Sequence, residues 1–400
     1  MRVVSKLADV VLISATFSLS YGLPWPISSS YNSRDVQASV DFMVDNLGAV
    51  EIDPNVTVAT GCDASMRWVS MPGSGYEFHF ISTPSLATPN FSFTDFVNYT
   101  EGLYGNLSQV SATTYDQFMD YHVGMITDDM TTFYTALKTH NTPFFMVGQY
   151  PSFFDLFVEI PGTGIILELT SQRLDIPDVP ISNWDICQDA VAPRQDLPVH
   201  PKEAAVDNSV FPTLNWRKTT FAAPYPAYGE AFSISFFGAV HIEQGHPGVW
   251  ANKCAKIAWS EFEYVGPAGN GYQFHFVDGV SYPPYPPAMG IVDFAKWQVA
   301  SRNFVDDKWD EWANHRLTMW TDDLAPYLDM LLSGSTFVNA SLVDSAPPAP
   351  FVPEFVVRVG GGLYSVVVDT TPIAGQVVEL VSSVYPTGDA YPAPTSWDFC

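Results

Sequence analysis

The sequence predicts an α+β fold in which one strand–helix–strands unit is read four times, as two tandem repeats of two units each. Three observations predict it. Distinct blocks recur in the same order in both halves, alternating apolar and polar residues flank turns, and short amphipathic helix patterns sit between those strands.

The recurrence comes first. GYEFHF begins at Gly75 and GYQFHF at Gly271. TDFVNYTEG begins at Thr94 and VDFAKWQVA at Val292. YDQFMDYHVGMITDDM begins at Tyr115 and WDEWANHRLTMWTDDL at Trp309. LEL at Leu167 answers VEL at Val378, and NWDIC ends at Cys187 as SWDFC ends at Cys400. The first repeat spans residues 23–187 and the second 213–400, joined by a polar, proline-containing linker over 188–212.

Each element has its own signal. Asp35 is placed to cap a helix ending near Leu47, with Val36, Val40, Met43 and Leu47 on one stripe. Strands are expected over 66–71 and 76–81, on either side of the turn at Pro72–Gly75, and a helix over 94–103. The unit then restarts. A strand over 121–126 leads to a helix capped by Asp128 or Asp129, with Met130, Phe133, Tyr134 and Leu137 on its apolar face. Strands over 153–160 and 165–170 follow. In the third unit the helix near 225–236 has the weakest signal, because Pro224, Pro226 and Gly229 oppose a regular helix.

Composition limits the role. An apolar fraction of 47% with 14% aromatic residues is that of a folded chain, and 400 residues suit more than one core. With 17 Lys+Arg against 43 Asp+Glu, the formal charge of −26 disfavours nucleic acid and anionic membranes as partners. Arg2, Lys6 and the apolar run over 8–19, followed by Ser20 and Gly22, read as a signal peptide over 1–22. The expected location is therefore extracellular. No later stretch is long and apolar enough for a membrane span. N-glycosylation triplets begin at Asn55, Asn90, Asn98, Asn106 and Asn339, as export would permit. Four cysteines allow three pairings. One early and one terminal cysteine per repeat favours Cys62 with Cys187 and Cys254 with Cys400.

The segments HVGMITDDMTTFYTALKTHNTPF from His122 and FVEIPGTGIILELTS from Phe157 resemble the opening and ending of a module of the vicinal oxygen chelate superfamily, the glyoxalase and extradiol-dioxygenase fold. The resemblance implies four βαβββ modules arranged as two tandem glyoxalase-like repeats, each pair of modules forming a cup. It also implies a divalent metal, Zn, Fe or Mn, held by the first and last strands of each module. In repeat one those positions fall at Ser28, His79, His122 and Glu168, so His79, His122 and Glu168 are the metal candidates, with Glu77 as a base. Strand alternation turns His79 and Glu168 away from their apolar neighbours.

The set departs from both familiar patterns of the family, which expect a carboxylate at His79 or a histidine at Ser28. In repeat two the counterparts are His275, Arg316 and Glu379. Arginine has no lone pair to offer a metal, so a gapless alignment predicts an Arg316–Glu379 ion pair. A one-residue bulge would instead return His315 to the cup. Two functions follow. One is a secreted metalloenzyme, of lyase or dioxygenase type, acting on a small oxygenated molecule. The other is a non-catalytic secreted glycoprotein that keeps the fold as a binding or structural module.

Overall fold

The computed structural model describes residues 24–33, 35–52, 66–82, 122–149, 153–163, 165–176, 182–184, 211–223, 226–241, 259–265, 271–278, 316–334, 351–374 and 377–396. The signal segment 1–22, all four cysteines, the five acceptor asparagines, His315, the helix expected over 94–103 and linker residues 188–210 lie outside them.

Four modules follow one another. The first has β1 (Trp25–Ser33), α1 (Val36–Leu47), β2 (Val50–Ile52), β3 (Met66–Ser70) and β4 (Glu77–Ser82). The second has β5 (His122–Ile126), α2 (Thr131–Thr139), β6 (Phe144–Gln149), β7 (Phe153–Ile160) and β8 (Ile165–Ser171), with a short β9 (Ser182–Trp184). The third has β10 (Asn215–Ala223), α3 (Pro226–Phe237), β11 (Val240–His241), β12 (Trp259–Val265) and β13 (Gly271–Asp278). The fourth has β14 (Arg316–Trp320), α4 (Ala325–Leu332), β15 (Glu354–Gly360), β16 (Leu363–Asp369), a single turn α5 (Thr371–Ala374), β17 (Val377–Ser382) and β18 (Thr395–Ser396). In each module the first strand pairs in parallel with the last, and the intervening strands follow outward as an antiparallel run. This is the βαβββ unit expected from the sequence, four times over.

Local chemistry accounts for the helices. The Asp35 carboxylate accepts from the Ala38 backbone N–H at 3.0 Å and starts α1. Gly48, at φ 66°, ends it. Val36, Val40, Met43 and Leu47 are buried as the stripe predicts. The two Thr-Asp-Asp segments lead into α2 and α4 differently: Met130 and Leu324, not an aspartate, hold the cap positions, and the aspartate before each closes a turn. Asp129 accepts from the Thr131 N–H and Asp323 from the Ala325 N–H, each at 2.8 Å. Helix α3 forms despite its composition. Pro226 takes the first position, where its missing N–H costs nothing. Gly229 lies so close to Phe276 that an added Cβ would sit 2.7 Å from the ring.

The modules do not pair as they follow one another. One sheet runs β18-β15-β16-β17-β14-β1-β4-β3-β2 and joins modules one and four. The other runs β11-β12-β13-β10-β5-β8-β7-β6-β9 and joins modules two and three. Each sheet therefore takes one module from each sequence repeat, and the cup expected between modules one and two is not formed. Each seam is antiparallel: β1 meets β14, and β10 meets β5. One apolar cluster gathers the inner faces of both sheets with α1 to α4, from Tyr31, Phe78 and Val123 to Leu317 and Val378. Alternation then sends polar side chains to the opposite face of each sheet, where they are also buried.

Candidate functional site: two charged cups

A matching irregularity aligns the two cups. Register shifts between Pro26 and Ser28 in β1, and between Trp216 and Lys218 in β10. Ser28 thus corresponds to Lys218. By the same logic His122 corresponds to Arg316, Gly124 to Thr318 and Glu168 to Glu379, since Gly124 pairs with Glu168 and Thr318 with Glu379. The cup of modules one and four carries Ser28, His79, Arg316 and Glu379. The cup of modules two and three carries Lys218, His275, His122 and Glu168.

This divides the predicted metal set. His122 and Glu168 meet, with Nε2 3.0 Å from Oε2, but His79 belongs to the other sheet. His275, expected beside Arg316 and Glu379, lies in the sheet of His122 and Glu168. The Arg316–Glu379 pair is present: the guanidinium Nε is 2.9 Å from the carboxylate Oε2, and Thr318 donates to the same oxygen at 2.9 Å. Glu77, proposed as a base, accepts from His79 Nε2 at 2.9 Å and lies at the more exposed margin of its cup.

Lys218 is the residue the sequence reading missed. Its Nζ lies 2.8 Å from Glu168 Oε2, and both side chains are buried. Gly124 makes room for it. A Cβ there would stand 2.4 Å from Lys218 Cγ, so the lysine stem crosses the sheet over a position that must stay bare. Burial alone would raise the Glu168 pKa. The Lys218 charge and the His122 hydrogen bond outweigh it and hold this carboxyl well below the usual range. Beside it, burial and the Glu168 charge push Asp155 up to about 8. Thr170 donates to Asp155 Oδ1 at 2.8 Å and opposes that rise only in part.

A divalent metal does not fit these residues. In each cup a basic side chain, Lys218 or Arg316, already stands against the carboxylate that would bind the ion. Where the imidazole of His122 donates its Nε2–H to Glu168, that nitrogen has no lone pair for a metal. Among the described residues no three His, Cys, Asp or Glu side chains converge as a metal group.

No family model and no curated protein matches the sequence. Solved structures do resemble the chain. A proposed dioxygenase from Bacillus subtilis matches 92% of this chain and 87% of its own, at 9% identity and a TM-score of 0.47. A mutant of glyoxalase I from Zea mays matches 94% and 96%, at 10% identity and 0.47. A glyoxylase/bleomycin resistance protein/dioxygenase domain from Frankia matches 36% and 88%, at 17% identity and 0.25. The strand order itself, with four βαβββ modules joined in pairs, makes this a fold of the vicinal oxygen chelate type.

Proposed function

We propose that this protein is a secreted, metal-independent binding protein for a small molecule, built on the vicinal oxygen chelate fold. One observation carries the reading: in both cups a side-chain cation, Lys218 or Arg316, neutralises the carboxylate that a metal would need. Removing a metal from such a site leaves a buried carboxylate that must be compensated, and an internal ammonium or guanidinium does so. The known proteins that share the fold include glyoxalase I, so a small-molecule ligand suits the architecture.

Elemental analysis of secreted protein after incubation with Zn, Mn and Fe(II) tests this. We expect far less than one ion per chain, unchanged in His122→Ala. A full equivalent that His122→Ala removes would defeat the reading. Secretion rests on the segment over 1–22, and N-terminal sequencing should find the mature chain starting near Leu23. A peptide map should find Cys62 with Cys187 and Cys254 with Cys400, each bridge stabilising the fold by about 4–5 kcal/mol.

A further inference from the structure

The cup of modules one and four contains a second feature, distinct from its ion pair. Strand register sets His79, Ser30 and Arg316 abreast on β4, β1 and β14. Ser30 is 0% exposed, His79 7% and Arg316 3%. The His79 ring stacks on Trp68, the centroids 4.1 Å apart and the planes 12° from parallel. Glu77 fixes its tautomer. A carboxylate only accepts, so the Nε2 that meets it at 2.9 Å carries the hydrogen. Burial keeps this imidazole neutral, the Glu77 bond opposing only in part. Nδ1 is then a lone pair. Among the described residues neither Nδ1 of His79 nor Oγ of Ser30 has a hydrogen-bond partner.

Two buried polar atoms on paired residues, both without partners, mark a place where a bound group completes the structure. We propose that this cup binds a small neutral molecule through a hydroxyl that donates to His79 Nδ1 and accepts from the Ser30 hydroxyl. The Nδ1 lone pair requires a group with a hydrogen to give, and a hydroxyl supplies it while accepting from Ser30. A carboxylate or a carbonyl has no hydrogen for Nδ1, and an ammonium would face Arg316. The surroundings suit an apolar body on that hydroxyl. Trp68 flanks one side, and Val377 and Val367 lie beyond Arg316 and Glu379 on the other, buried in a small apolar cluster of their own.

The proposal rests on the metal-free reading above, and the test separates the two. Phenol, toluene and benzoate are titrated into the full chain, with and without EDTA. Binding is followed by the ¹⁵N shift of His79 Nδ1 and by calorimetry. Phenol should move that shift and bind at least about tenfold more tightly than toluene, the size of one good hydrogen bond, and benzoate should fail. Ser30→Ala and His79→Phe, the second keeping a ring against Trp68, should each erase phenol's advantage over toluene. Equal binding of phenol and toluene, or a phenol-insensitive Nδ1 shift as a single trapped water would give, overturns the proposal. A phenol response that EDTA abolishes overturns the metal-free reading instead.

Discussion

The two cups share a plan and differ in where the positive charge enters. In modules two and three it comes from β10, as Lys218, and the position of Arg316 is filled by His122. In modules one and four it comes from β14, as Arg316, and the position of Lys218 is filled by Ser28. What the fold requires is therefore a charge beside the carboxylate and not a particular residue at a particular place. The outer strands differ as well. Register aligns Asp155 with Ser365 and Thr170 with Val381, so one cup is acidic and hydrogen-bonded where the other is nearly apolar.

Removing the cation is the strongest way to break this comparison. Lys218→Met strands the buried carboxylate of Glu168, and the expected loss is about 3–5 kcal/mol in chemical denaturation. Arg316→Met should cost a similar amount through Glu379. Replacing both partners, as in Lys218→Met with Glu168→Leu, should recover most of it. A double variant no more stable than the single would show that the cation has a further role.

The bare position beneath the lysine sharpens the contrast. Gly124→Ala drives a methyl into the Lys218 stem and should cost about 1–3 kcal/mol. Thr318→Ala, at the matching place in the other cup, loses only the hydroxyl that donates to Glu379, about 1 kcal/mol. Equal melting shifts for the two variants would deny that Lys218 needs the gap.

The last contrast is a pH dependence. Asp155 has its pKa raised from 3.8 to about 8 in the folded chain, so it favours folding most below pH 3.8. That contribution is lost as pH rises toward 8. Glu168 has the opposite sign: its stabilisation is present above 4.5 and is lost in acid. Asp155→Asn should therefore flatten the decline in stability between pH 3.8 and about 8. Parallel wild-type and variant curves would refute it.

The modules and the Asp35 cap were legible because each follows from local pattern, and the Arg316–Glu379 pair because a gapless alignment of the repeats sets both residues in one module. The pairing of modules was not. Strands β5 and β14 both issue from the recurring block that begins at Tyr115 and Trp309, so a repeat that identifies them as equivalent cannot say which one β1 will meet. Lys218 escaped for a related reason. Trp216 faces the core, and strict alternation would send Lys218 to the same side. The irregularity between them turns it to the cup instead.

The exchange of modules between repeats also orders the birth of the protein. The sheet of modules two and three needs nothing beyond β13 at Asp278 and can close while the rest of the chain is still being made. The strand β1 is made early, yet its seam partner β14 begins at Arg316, so its long edge waits through most of synthesis. A ribosome or an expression vector that stops after the first repeat yields two unmatched half-sheets, and an unpaired edge of that kind invites aggregation.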